Sequence, residues 1–171
     1  KMEGQGQNIL IMGIGNEVLT DDAIGPKIAK ELGRQIKDPG IRFESVALGG
    51  LEIIELFRGF EKVVIIDAIK TRDGIPGALY LFRPDDFKET LHLSNLHDVN
   101  FLVALELAEQ LGIKLTSEIY ILAVEIIEDL VFSEEFTPEL AKAFPGILVE
   151  IKEFLYNELN ISEFKTVESK A

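Results

Sequence analysis

Cysteine and tryptophan are absent from the chain, and histidine occurs only twice, as His92 and His97. Without cysteine there are no disulfides, no thiolate metal ligands and no cysteine nucleophile. That inventory suits a reducing compartment, so cytoplasmic localisation is the expectation. Two histidines cannot build a multi-histidine zinc centre. Positive charge is also scarce: 17 Lys and Arg stand against 30 Asp and Glu, a formal net charge of -13. A surface of that sign repels phosphate backbones, so nucleic acid is not an expected partner. The acidity serves solubility, or else a partner with a basic segment. No apolar run approaches the ~20 residues of a membrane span, so no membrane insertion is expected. The opening KMEGQGQ carries no apolar signal-peptide core.

Several common motifs are missing too. There is no Walker P-loop, no His-Glu-x-x-His and no Gly-x-Ser-x-Gly. Gly13 and Gly15 resemble the start of a dinucleotide fingerprint, but Val18 stands where the third glycine belongs. A nucleotide-binding α/β domain is therefore a poor fit, and the acids around those glycines weaken it further.

What is present is a regular alternation. Ile9-Leu10-Ile11-Met12 forms a buried strand that empties into Gly13 and Gly15, followed by Asn16, Glu17, Asp21 and Asp22. Ile24, Ile28, Ala29 and Leu32 then recur at helical spacing, predicting a helix over 22–36. A second strand is expected over 41–48, broken by Gly49-Gly50, and a short helix over 51–57. Lys62 to Ala68 is apolar on both faces, as in a central parallel strand, and contains Asp67 at its end. Ala78 to Phe82 reads as a fourth strand, at an edge. A helix beginning over 94–98 buries Phe101, Leu102, Leu105, Ala108 and Leu111 and stops at Gly112. Ile119 to Val124 is the fifth strand, and 125–135 an acidic loop. Thr137-Pro138-Glu139 opens a last helix, bent or interrupted near Pro145-Gly146.

This pattern predicts an α/β, three-layer αβα fold: a mostly parallel, twisted five-stranded sheet with helices on both faces. One domain covers residues 1–171, with an ordered core over about 8–159 and a polar C-terminal tail.

Ligands of such sheets bind at the carboxyl ends of the strands. Asp22 follows the first strand and Asp67 ends the third, so parallel neighbours would bring both to one crevice. His97, at the start of a helix, is a candidate to join them, and residue type and position alone leave a structural role equally open. Two carboxylates and an imidazole suit a borderline divalent metal such as nickel or zinc, with positions left open for substrate. The competing reading makes Asp22, or Asp21 beside it, a cap for the following helix. Asp67 has little structural reason to follow Val63-Val64-Ile65-Ile66. His92 reads as a surface residue.

The blocks Gly13-Ile14-Gly15-Asn16, Leu19-Thr20-Asp21-Asp22 and Gly25-Pro26 resemble the hydrogenase maturation endopeptidases. So do Ile65-Ile66-Asp67-Ala68, the pair His97-Asp98 before a leucine-rich helix, and Thr137-Pro138-Glu139. The resemblance runs from about Asn8 to Ile151. It implies a peptidase that removes the C-terminal extension of a nickel–iron hydrogenase large subunit once nickel is inserted. It also implies that an acid after the first strand, an aspartate after the central strand and a helix-start histidine gather around the metal. Residue by residue these are Asp22, Asp67 and His97, as both catalytic and metal-binding groups. Gly13, Gly15, Asn16, Glu17, Gly49 and Gly50 are the expected lining of the substrate cleft.

The implied metal is nickel carried by the substrate, with other divalent metals able to occupy the same ligands. The implied partner is the large-subunit precursor, met by a monomer. Either the metal assists cleavage, or Asp22 and Asp67 share a proton as an aspartic-protease-like dyad. The alternative function is a non-catalytic module that senses metal or holds the precursor. Two departures from the family pattern stand out. Leu48 and Leu51 flank Gly49-Gly50, and Ala123-Val124-Glu125-Ile126 replaces a Gly-Ile-x-Pro-like turn.

Overall fold

The computed structural model describes residues 8–47, 51–86, 100–115 and 118–161. Five strands form one sheet: β1 (Ile9–Ile14), β2 (Ile41–Val46), β3 (Lys62–Ile69), β4 (Leu79–Phe82) and β5 (Glu118–Glu125). Their order is β2-β1-β3-β5-β4. The pairs β1–β2, β1–β3 and β3–β5 are parallel, and β4 runs antiparallel along β5 at the edge. The helices are α1 (Ile24–Gln35), α2 (Leu51–Leu56), α3 (Asn100–Gln110) and α4 (Pro138–Leu159), and a 3-10 turn at Thr20–Ala23 precedes α1. Among the described residues, no helix is long and apolar enough to cross a membrane.

The sheet is covered on both faces because its inner strands carry apolar residues on both. One face buries Ile9, Ile11, Val64, Ile66, Leu122 and Val124 against α1 and α4. The other buries Leu10, Met12, Val63, Ile65, Ile119 and Ile121 with residues of α2 and α3. Each fully buried Ile or Leu contributes about 1.5–3 kcal/mol by leaving water. This is the expected three-layer fold.

The element boundaries correct the sequence expectations in three places. Leu111, expected in the buried stripe of α3, is 57% exposed. The helix has ended at Gln110, and Gly112, at φ 70°, turns the chain away. Ile113 N then donates to Ala108 O at 2.9 Å, closing the helix end, so Leu111 points out of the core. Phe101 and Leu102 lie where side chains are not described. Next, α4 is not interrupted at Pro145 but runs as one 22-residue element. Leu140 on one side of the proline and Ile147, Leu148 and Ile151 on the other are all buried, and this packing keeps both halves helical. Finally, β5 extends through Glu125, which the sequence assigned to an acidic loop.

The chain crosses from β1 to β2 through α1 on one face and from β2 to β3 through α2 on the other. The order therefore reverses between β1 and β3, and the carboxyl ends of these two strands are where sheets of this topology place their ligand crevice. Gly15 and Asp22 follow one of these strands, and Asp67 lies near the end of the other.

Candidate active site

The entry to α1 is packed directly onto the strand ends. A Cβ on Gly13 would lie 2.1 Å from Gly25 O. One on Gly25 would lie 2.4 Å from Ile66 O and 2.6 Å from Ile14 O. One on Gly15 would meet Asp22 O at 2.0 Å. Glycine is required because backbone touches backbone, not because a phosphate approaches. The packing seats the Thr20–Ala23 turn over the ends of β1 and β3.

That turn is held under tension. Thr20 sits at φ 53°, unusual for a β-branched residue and costing on the order of 1–3 kcal/mol. Hydrogen bonds offset it: Thr20 N donates to Ser133 O at 2.9 Å and Thr20 Oγ1 to Val131 O at 2.6 Å. The twist sends the two adjacent acids in different directions.

Asp21 turns inward and is 0% exposed. Its Oδ2 accepts from Ile127 N and Glu128 N, each at 3.1 Å. Its Oδ1 accepts from Thr137 N at 2.8 Å, and Thr137 Oγ1 lies within 3.0 Å of both carboxylate oxygens. Asp21 thus ties the turn to the loop after β5 and to the start of α4. Neither Asp21 nor Asp22 caps the helix that follows them, since neither the 3-10 turn nor α1 has a side-chain cap.

Asp22 turns toward the crevice. Its Oδ2 accepts from Asn16 N at 2.8 Å, and Asn16 Oδ1 accepts from Val18 N at 3.1 Å, so the loop after β1 is folded around it. Asp67 is 5% exposed. Its Oδ1 accepts from Ala68 N at 2.8 Å, whereas Oδ2 is buried and has no hydrogen bond among the described residues. Burial pushes the Asp67 carboxyl well above the usual aspartate range, the Ala68 amide pulls it back, and the nearby Asp22 charge raises it again. The fold therefore brings Asp22 and Asp67 together.

Of the expected cleft residues, Gly13 and Gly15 pack beneath the turn, and Asn16 holds Asp22. Glu17 forms an ion pair with Lys30 of α1. Gly49, Gly50, His92 and His97 lie outside the described residues.

A third buried acid went unrecognised in the sequence. Glu125, at the end of β5, is 2% exposed. It shares the sheet face of Asp67, because Asp67 pairs with Ala123 and Ile69 with Glu125. Its Oε1 accepts from Thr71 N and Thr71 Oγ1, both at 2.8 Å, and its Oε2 is buried without a hydrogen bond among the described residues. Gly74 lies against it so closely that a Cβ would come within 1.7 Å of Oε1. The signal was available: like Asp67, this acid directly follows an apolar strand. Its bonds staple the loop beside Asp67. Thr71→Val should therefore lower stability by about 1–2 kcal/mol, through loss of one hydrogen bond to a buried carboxylate, as measured by urea unfolding.

A family model described as hydrogenase maturation protease matches residues 7–153 of the chain. Among known proteins, the chain is 29% identical over 145 residues to Protein FrxA of Pyrococcus furiosus, spanning 78% of this chain and 97% of that one. It is 30% identical over 79 residues to the hydrogenase 2 maturation protease of Escherichia coli, spanning 46% of this chain and 48% of that one. In fold it is similar to an endopeptidase from Escherichia coli solved in solution (TM-score 0.74, 21% identity, 91% of this chain and 96% of that one). It is likewise similar to the crystal structure of a NiFe hydrogenase maturation protease from Thermococcus kodakarensis (TM-score 0.63, 24% identity, 90% and 95%).

Proposed function

Because the chain belongs to the hydrogenase maturation protease family, we propose that it is the endopeptidase that removes the C-terminal extension of a nickel–iron hydrogenase large subunit after nickel insertion. In this reading nickel arrives as part of the substrate, and Asp22, Asp67 and His97 complete its coordination. The observation that carries it is the bare Asp67 Oδ2, buried beside a second carboxylate. Burial disfavours the Asp67 anion and the nearby Asp22 charge adds to that, and a divalent cation bound by these residues would supply the charge that offsets both. An oxygen with no hydrogen bond is also one that a cation can take without displacing a donor.

The same oxygen weighs against the aspartic dyad. A proton shared between Asp22 and Asp67 requires a short hydrogen bond between them. Among the described residues Asp67 Oδ2 makes no hydrogen bond, and Asp67 Oδ1 accepts from a backbone amide.

Each residue has a defined task on this reading. Asn16 N and the glycine packing aim Asp22, and the apolar ends of β1 and β3 keep water from screening the pair. Coordinated metal would supply charge to polarise the scissile carbonyl or to lower the pKa of an attacking water. Recognition follows from linkage, since a nickel-free precursor lacks the shared ligand.

The test is to incubate the protein with the large-subunit precursor, with and without nickel loaded, and to weigh the products by mass spectrometry. Loss of a C-terminal fragment from the nickel-loaded precursor alone is the expected result. Equal cleavage of both forms would overturn the role of nickel. Binding without cleavage of either would leave the non-catalytic precursor-binding module in its place.

A further inference from the structure

The loop between β5 and α4 carries apolar side chains where a water-facing loop should be polar. Leu130 is 80% exposed, Val131 57% and Phe132 81%. Ile127 and Val18 are part-exposed beside them, at 39% and 42%. Leaving a phenylalanine and a leucine almost wholly in water forfeits the burial that stabilises the rest of the chain.

The loop is also firmly built. Glu128 Oε1 accepts from Leu130 N at 2.8 Å and from Val131 N at 3.0 Å, so the loop folds on its own side chain. Ser133 N donates to Val18 O at 3.0 Å, and Leu19 pairs with Ser133 in a parallel bridge. Asp21 N donates to Glu128 O at 2.9 Å, while the Asp21 carboxylate holds both Ile127 N and Glu128 N. The apolar knuckle is thus fastened to the turn that holds Asp22, one residue beyond Asp21. A patch mounted rigidly on the rim of a site, and not folded back into the core, is built for a partner.

Charge narrows the partner. Glu128, Asp129, Glu134 and Glu135 flank the three apolar residues in sequence. Lys70 is the basic residue seen to engage these acids by ion pair, through Asp129 at 2.8 Å. Lys27 reaches the backbone oxygen of Glu134 and lies 4.4 Å over the Phe136 ring, which leaves the knuckle itself apolar and anionic. With a net charge of -13 behind it, this surface attracts a cationic chain and repels an acidic one.

We propose that the Leu130–Val131–Phe132 knuckle is the docking surface for the substrate polypeptide, and that it receives an apolar segment of the precursor carrying Lys or Arg, close in sequence to the scissile bond. The proposal rests on the peptidase reading for the identity of the partner. It extends that reading from the metal to the peptide: nickel reports that the precursor is ready, and the knuckle holds the chain to be cut. Contact at the rim of the crevice orders the segment beside Asp22 and Asp67 before cleavage, so its contribution belongs to binding and not to chemistry.

The experiment compares wild type with the double variant Leu130→Ser/Phe132→Ser, in which both changes lie on exposed side chains. The probes are the nickel-loaded large-subunit precursor and a synthetic peptide of its C-terminal extension. The precursor concentration giving half-maximal cleavage should rise at least about tenfold in the variant, with the rate at saturation within about twofold. Peptide binding, followed by fluorescence anisotropy, should weaken to the same degree. Glu134→Gln/Glu135→Gln should weaken binding less and flatten its dependence on salt. Unchanged half-saturation and unchanged peptide binding in the folded Leu130→Ser/Phe132→Ser protein would overturn the proposal. So would a wild-type dimer, seen by sedimentation, that the same variant dissociates without loss of precursor binding. If wild type binds but does not cut, the peptidase reading fails while the knuckle is still judged by the anisotropy arm.

Discussion

Asp67→Asn is expected to abolish cleavage of the nickel-loaded precursor, lowering the rate at saturation by at least about a thousandfold, while the protein stays folded. Asparagine keeps the shape and the Ala68 amide contact but removes the anion that would bind the cation. Stability should move the other way. Asp67 is buried, its Oδ2 is without a hydrogen bond, and its carboxyl is held well above the ordinary value of 3.8. Above about pH 3.8 the unfolded chain releases this proton while the metal-free folded protein retains it. Stability of the wild type is therefore lost as pH rises from there through the folded-state pKa. An asparagine side chain has no proton to release, so the variant should gain on wild type across that window. Urea unfolding of both proteins at pH 3 and pH 7, without metal, measures the difference. A variant that gains nothing at pH 7 relative to pH 3 would mean that Asp67 is not the desolvated acid described here. Normal cleavage by a folded variant would sink its proposed role.

The largest loss of stability is expected at its neighbour in the motif. Asp21→Ala removes the acceptor for Ile127 N, Glu128 N, Thr137 N and Thr137 Oγ1 together. Four donors in a site with no solvent access at Asp21 cannot all find water. The cost should be about 3–5 kcal/mol, because deleting a buried charge strands its partners. For a domain of this size that corresponds to a fall in Tm on the order of 10 °C. Asp21→Asn, which keeps one acceptor oxygen, should lose roughly half as much. The same change frees the loop after β5 and the Thr20–Ala23 turn, so cleavage should weaken even though Asp21 touches no substrate. Differential scanning calorimetry gives the first effect and the precursor assay the second. An Asp21→Ala protein within about 1 kcal/mol of wild type would show that the turn is held by its glycine packing instead.

The two predictions separate adjacent residues that the sequence presents as a doublet. Asp21 and Asp22 have the same chemistry, and both precede a helix, so capping was open for either. Neither caps it. The difference comes from Thr20 at φ 53°, which turns one acid toward Thr137, over a hundred residues away, and the other toward the crevice. A local pattern carries no information about a partner so distant in sequence.

The strands were readable because each is a short apolar run ended by glycine, acid or turn residues, and burial on both faces leaves no alternation to misread. Asp67 was readable as an anomaly for the same reason: an acid at the end of Val63-Val64-Ile65-Ile66 is out of place in an apolar run, and the fold buries it. Other features depended on how the elements pack. Gly13 and Gly25 are contact points between backbones, visible only once α1 lies on β1 and β3. Pro145 breaks nothing because the core grips α4 on both sides, whereas a propensity argument sees only the missing amide. Glu125 looked like the first residue of an acidic loop until pairing with β3 made it the last residue of a buried strand. Residue type and spacing thus fix where apolar surface and charge occur along the chain. Which charges end up buried, and beside which others, is a matter of strand order and helix docking, because desolvation acts on residues that are neighbours in space.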